Sequence, residues 1–196
     1  MRHSAIASSS QHHVSLAQPT STAPRVAEQA NRFIKLNHMG ELIAIQIYSA
    51  QLRVCRSRRL ALAATLEDFL VHERRHYEIF GSLLARRGVN PAFASRILGW
   101  AGFALGFATA LLGKTAIMAC TAAVEMVVLE HLDLQLRRLR ALGDVEAIAA
   151  IEAILSEETE HRDLGVTEGG NSLTYRIVYA LVAPVTNAVI HLGLHL

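Results

Sequence analysis

The feature that most restricts the fold of this chain is a doubled pattern of glutamate and histidine. Glu41 precedes Glu73-Arg74-Arg75-His76 by 32 residues, and Glu125 precedes Glu158-Thr159-Glu160-His161 by 33. On a helix, positions i and i+3 project from one face, so each Glu-x-x-His can clamp a cation. One match alone means little: with 13 glutamates and 10 histidines in 196 residues, roughly 0.7 arise by chance. The repetition carries the weight. A helix of about 30 residues, a turn and a return path bring each lone glutamate level with its Glu-x-x-His. Four helices then deliver Glu41, Glu73, His76, Glu125, Glu158 and His161 to one interior point. That is the donor set of a ferritin-like di-iron carboxylate bundle.

The flanking residues agree. Glu41 is followed by Leu42, Ile43, Ala44 and Ile45, and Glu125 sits in TAAVEMVVL. A carboxylate in such company is costly unless it is neutralised, paired or bound to metal. Carboxylate oxygens with two imidazoles suit iron or manganese better than a thiolate-seeking ion. The two cysteines, Cys55 and Cys120, are far apart and form no CxxC pair. Their number and spacing argue against a disulfide framework and a thiolate zinc cluster.

The rest of the chain reads as all-α. Periodicity predicts helices over about 26–54, from a Ser57 N-cap to Gly88, and over about 116–142, ended by Gly143. A fourth helix is expected from an Asp144 cap to residue 163 or 164, closing at Gly165, with a loop at 166–172. An apolar crossover spans about 92–114. Its uncharged core, residues 97–113, is 17 residues long and carries the GxxxG of Gly102 and Gly106. It is short for a bilayer span and is expected to lie in a membrane interface. A last apolar helix covers about 173–194, with Pro184 in its middle. Residues 1–25, rich in Ser, Ala, Gln and His, read as a disordered tail, and 26–196 as one domain. The expected architecture is an antiparallel four-helix bundle with two added apolar helices.

Composition narrows the function. Hydrophobic residues are 52% and charged residues 18%, and mean hydropathy is +0.28, which points to a membrane or a partner surface. A net charge of +2 excludes a nucleic-acid binder that relies on phosphate contacts. His72-Glu73-Arg74-Arg75-His76 is also a literal HExxH, the mark of zinc peptidases. That reading needs a third ligand and a strand beside the site, and leaves Glu125, Glu158 and His161 without a purpose. A ferritin-like iron oxidase or storage protein would share the donor set, and a non-catalytic membrane-associated module would share the fold. The apolar segments count against the first and the intact donor set against the second.

With these residues placed, the chain resembles the demethoxyubiquinone hydroxylase family of ubiquinone biosynthesis. NHMGELIAIQIYSAQ is similar to that family's Asp-His-x-Gly-Glu…Ile-Tyr-x-Gly-Gln segment, and EETEHRDLG to its Glu-Glu-x-x-His-x-Asp segment. GWAGFALGFATALLGKTAIMACTAAVE is similar to its block ending Ala-Cys-Thr-x-Ala-Val-Glu. The similarity covers about 26–196. It implies six iron ligands at Glu41, Glu73, His76, Glu125, Glu158 and His161, and a role for His131 in quinone or electron handling. It implies two iron ions per chain, O2 and a demethoxyubiquinol-type lipid as substrates, and NADH as reductant. It further implies a membrane surface, other ubiquinone-biosynthesis proteins and a second copy of the chain as partners. The expected location is the cytoplasmic face of a bacterial inner membrane or, alternatively, the matrix side of the mitochondrial inner membrane. Asn37, Met126 and Leu132 depart from the family pattern, where aspartate, glutamate and, in some members, tyrosine stand.

Overall fold

The structure, a computed structural model, describes residues 22–194, with side chains from residue 27 onward. Seven helices follow in order: α1 (Thr22–Ser57), α2 (Ala63–Arg86), α3 (Ser95–Leu112), α4 (Lys114–Leu142), α5 (Val145–Glu152), α6 (Leu155–Gly169) and α7 (Leu173–Gly193). No strand occurs among the described residues. The expected tail at 1–25 lies outside the described residues up to 21, and residues 22–25 are already α1.

α1 and α2 form one antiparallel hairpin, and α4 and α6 form another. Each apolar helix then lies along the long helix of its own hairpin: α3 along α1, and α7 along α4. The core has two main layers and a smaller third cluster of Leu36, Met39 and Ala92. One layer holds Tyr48, Cys55, Leu66, Phe69, Ile117 and Met118. The other holds Phe33, Ile34, Phe80, Leu84, Leu136 and Ile151. Between them, each of α1, α2, α4 and α6 contributes buried polar residues, among them Asn37, Glu41, Glu73, His76, Glu125, Glu158 and His161.

Several boundaries differ from the sequence expectation, each for a local reason. Ser57 does not cap α2. Its hydroxyl donates back to the Val54 carbonyl at 2.8 Å as the last residue of α1, and α2 starts six residues later with no side-chain cap. The expected fourth helix is two helices. Asp144 caps α5 by accepting from the Ala147 amide at 3.1 Å, and the chain then breaks at residues 153–154 as Ile154 enters the core. Gly165 does not end α6. A Cβ there would lie 2.7 Å from the Ala122 nitrogen, so this glycine lets α6 close onto α4. The helix runs on to Gly169 and stops where Gly170 takes a positive φ of 66°, which leaves only 170–172 as loop.

The GxxxG is spent inside the chain. A Cβ on Gly102 would meet the Ile43 carbonyl oxygen at 2.9 Å, and one on Gly106 the Ile47 carbonyl oxygen at 2.2 Å. Gln51 Nε2 donates to Thr109 Oγ1 at 3.1 Å just beyond. The outer faces of α3 and α7 stay apolar and exposed, with Ile97, Trp100, Phe107 and Leu111 on one, and Leu173, Ile177, Leu181 and Val185 on the other. α3, α4 and α7 are each long and apolar enough to cross a membrane by length and composition. Most of the apolar window of α4 is buried inside the bundle.

Two stability tests follow. Gly106→Ala should lose about 1–3 kcal/mol through overpacking against α1. Gly40→Ala, with no atom within 4 Å of the added carbon, should gain up to about 1 kcal/mol of helix propensity. Urea midpoints read both. The second test concerns Asp144, whose two carboxylate oxygens accept from Arg87 at 2.6 and 2.9 Å. The Arg87 hydrogen bond outweighs burial and holds this carboxyl below its ordinary value of 3.8. A group depressed in the folded state stabilises above its unfolded value and loses that contribution as pH falls through the folded one. Asp144→Ala should therefore cost about 2–3 kcal/mol at pH 7, and the part due to the ionised carboxylate should fade as pH falls through a folded-state value below 3.8, leaving the smaller cost of the lost cap.

Candidate metal centre

All six residues of the doubled pattern converge. One donor atom each from Glu41, Glu73, His76 and Glu158 lie within 4.8 Å of one another, as do those of Glu73, Glu125, Glu158 and His161. Glu73 and Glu158 belong to both groups, and the other four residues belong to one each. Two carboxylates are thus placed between two sites, with one glutamate and one histidine on either side. Apart from Glu41, at 7% exposure, all are at most 2% exposed.

The side chains are aimed inward and left unsatisfied. His76 Nδ1 is 2.8 Å from Glu158 Oε1 and 3.7 Å from Glu41 Oε2. His161 Nδ1 is 3.2 Å from Glu73 Oε1. Yet His76 Nδ1, His161 Nδ1 and Glu73 Oε1 have no hydrogen-bond partner of acceptable geometry. Buried polar atoms without partners are destabilising and uncommon. Three of them converging among carboxylate oxygens fit a pair of divalent cations, and hard oxygen with imidazole donors fits iron or manganese.

The electrostatics agree. Burial, followed chiefly by the charges of neighbouring carboxylates, pushes Glu73 and Glu125 well above the usual carboxylate range. Burial also raises Glu41, against an opposing bond from His76. Glu158 is the exception: burial raises it, but His76, Glu125 and His161 together bring it below its ordinary value. His76 is raised to about 10, because Glu158 and Glu41 outweigh its desolvation. His161 is pushed down to about 4, chiefly by burial.

Around the six lies a ring of contacts that the motif did not reveal. The Tyr48 hydroxyl donates to Glu125 Oε1 at 2.7 Å, and Phe69 tilts against the His161 ring at 4.1 Å. Tyr48 stands seven residues after Glu41, two turns along the same face, and that spacing was the available signal. His76 Nε2 lies 2.7 Å from Glu157 Oε2, and His72 Nδ1 lies 3.0 Å from His161 Nε2. His72 therefore faces the outer side of a different histidine and belongs to neither donor group. The two-histidine clamp of the HExxH reading does not form.

The donor groups open on one side into a cavity of about 220 Å³ between α1, α3, α4 and α7. Glu41, Glu73, Glu125 and Glu158 line one part of it, and Ile43, Ile47, Leu105, Val128, Leu132 and Ile190 much of the rest. His131 stands on this wall and not among the donor groups, with its Nε2 at 2.8 Å from Asn187 Oδ1. Asn37 and Gln135 also line it, buried and bonded to each other reciprocally at 2.9 and 3.0 Å. The neutral amide at position 37 thus has a neutral amide partner. Leu132 is buried in the neighbouring core layer, and Met126 is partly buried.

Comparison with known proteins places the chain. The family model described as Ubiquinone biosynthesis protein COQ7 matches residues 28–193. A 3-demethoxyubiquinol 3-hydroxylase of Rhodospirillum rubrum is 40% identical over 148 residues, 74% of this chain and 68% of that protein. An NADPH-dependent 3-demethoxyubiquinone 3-hydroxylase, mitochondrial, of Dictyostelium discoideum is 38% identical, over 69% of this chain and 62% of that protein. The protein of the same name in Rattus norvegicus is 32% identical, over 83% and 76%. The chain belongs to the COQ7 family.

The packed carboxylates should be measurable without any metal. A group whose folded-state value is raised stabilises below its unfolded value and progressively less as pH rises toward the folded one. Glu73→Gln imitates the protonated carboxyl. In the metal-free protein this variant should be more stable than the parent at pH 8, and the advantage should shrink toward pH 5. Denaturant midpoints across that range read the trend.

Proposed function

We propose that this member of the COQ7 family hydroxylates the ring of a demethoxy-polyprenyl-benzoquinol in ubiquinone biosynthesis. One atom of O2 becomes the new ring hydroxyl. The other leaves as water, with NADH as the source of the two electrons. The observation that carries the reading is the opening of two carboxylate–histidine groups, sharing Glu73 and Glu158, into a cavity whose wall is otherwise mostly apolar, with the uncharged amides of Asn37 and Gln135 and the His131 ring among its polar groups. Glu41, Glu73, His76 and Glu158 would hold one iron ion, and Glu73, Glu125, Glu158 and His161 the other. When bound, the pair supplies the activation of O2 that a side chain cannot.

The protein's own work is positioning and exclusion. Ile43, Ile47, Leu105 and Val128 present an apolar wall that admits the ring and the first part of an isoprenoid tail and keeps bulk water out. His131, steadied by Asn187, stands on the same wall and serves as the hydrogen-bond partner of a ring oxygen. The exposed apolar faces of α3 and α7 flank the cavity and lie in the membrane interface, where the lipid substrate resides. Arg53, Arg58 and Arg59 meet anionic headgroups. The chain works as a peripheral protein on the cytoplasmic face of a bacterial inner membrane, as a homo-oligomer and beside other enzymes of the same pathway. Residues 26–196 form its single domain, preceded by a tail over 1–25.

Metal content tests the centre. Protein purified without chelator should hold close to two irons per chain. Glu158→Ala, at a shared position, should lose most of both, and Glu41→Ala should retain one. A single zinc that survives Glu158→Ala but is lost with His72→Ala would overturn the reading. Hydroxylated quinone should reappear when the parent is expressed in a cell lacking this step, and not with Glu158→Ala. Combining Trp100→Asp with Leu181→Asp should reduce flotation with anionic vesicles at least tenfold while leaving iron content intact.

A further inference from the structure

The two histidines of the centre are held from outside in a crossed arrangement. His76, on α2, turns Nδ1 inward and sets Nε2 at 2.7 Å from Glu157 Oε2, on α6. His161, on α6, turns Nδ1 inward and sets Nε2 at 3.0 Å from His72 Nδ1, on α2. Each supporting residue stands four positions before the histidine of its own helix: His72 before His76, and Glu157 before His161. Position i−4 lies one turn back on the same face. The antiparallel pairing of α2 and α6 therefore carries each supporter past its own histidine to the one opposite.

We infer that Glu157 and His72 are positioning residues of the centre, each fixing the ring orientation and tautomer of the histidine on the facing helix. This inference rests on the two-cation reading above. An imidazole that binds a cation through Nδ1 carries its proton on Nε2, and the group accepting that proton fixes the ring. Glu157 is the acceptor for His76. It is itself held by Arg75 and stands 4.0 Å from His72 Nε2, beyond hydrogen-bond reach. For His161 Nε2–H to donate, His72 Nδ1 must be the acceptor, which places the His72 proton on Nε2, facing Glu157. The two arms differ in kind: one histidine leans on a carboxylate and the other on a neutral ring. The carboxylate makes its histidine the stronger donor, so the site of His76 should hold its cation more tightly than the site of His161.

Both supporters are partly exposed, Glu157 at 23% and His72 at 29% of the side chain, so neither is a core residue whose loss unfolds the bundle. The test is anaerobic titration of the metal-free chain with ferrous iron against a competing chelator, with melting curves as the control on folding. The parent should bind two ions with unequal affinity. Glu157→Leu should weaken one ion by about 10–100-fold and leave the other near its parent value, and His72→Leu should do the converse. Glu157→Gln and His72→Gln, which keep an acceptor, should recover much of the loss. Double variants separate positioning from general damage: Glu157→Leu should add nothing in a His76→Ala background and keep its effect in His161→Ala. Equal weakening of both ions by either supporter, or additivity in both backgrounds, overturns the crossed assignment and leaves the two-cation centre standing. Fewer than two ions in the parent overturns the centre, and the inference with it.

Discussion

Everything in this fold answers to the packing of four carboxylates into a space almost closed to solvent. Isolated in an apolar interior, each ionised glutamate would carry a desolvation penalty of several kcal/mol. Brought together, they also repel one another. Two histidines offset part of this, and the raised values of Glu41, Glu73 and Glu125 show that they do not offset all of it. The two apolar layers on either side supply the stabilisation that lets such a layer persist. A divalent cation in each donor group would relieve the same repulsion that the metal-free protein carries.

The six converging residues and the all-helical bundle were legible because chemistry and periodicity spoke together. A carboxylate placed among Leu42, Ile43 and Ala44 has few explanations, and its recurrence at nearly equal spacing has fewer. The helix ends were less legible, because a glycine or serine can serve more than one purpose. Gly165 reads as a stop, yet its missing side chain is what lets α6 reach the α4 backbone. Ser57 reads as a cap for the next helix, yet its hydroxyl turns back to the one before. Of the two supporting residues, His72 was already marked out by the HExxH, but Glu157 was hidden for another reason. Glu157 stands beside Glu158 and is chemically identical to it; only the helix register, fixed by packing of α6 against α4, separates the side chain aimed into the centre from the one beside it.

The centre has two dissimilar surroundings. Toward α1, α3, α4 and α7 it faces an apolar cavity backed by helices whose outer faces are greasy. Between α2 and α6 it faces His72, Glu157 and Arg75, charged or polar and in touch with water. The same six residues therefore have apolar surroundings on one side and polar surroundings on the other. The reciprocal amides of Asn37 and Gln135 belong to the first side. They close part of the cavity wall without introducing a charge, which suits a compartment meant for an uncharged ring.

The helices repeat as well as the motif. α1, α2 and α3 form a hairpin followed by an apolar helix laid along its long member. α4, α6 and α7 do the same, with α5 as an insertion. Neither half contains a complete donor group. The first supplies Glu41, Glu73 and His76 and borrows Glu158; the second supplies Glu125, Glu158 and His161 and borrows Glu73. Any cation held by these groups would have its affinity linked to the docking of the two halves, and by reciprocity each ion would tighten that docking. The metal would act as a rivet across a seam between duplicated units, and its release would loosen the seam before it loosened either unit.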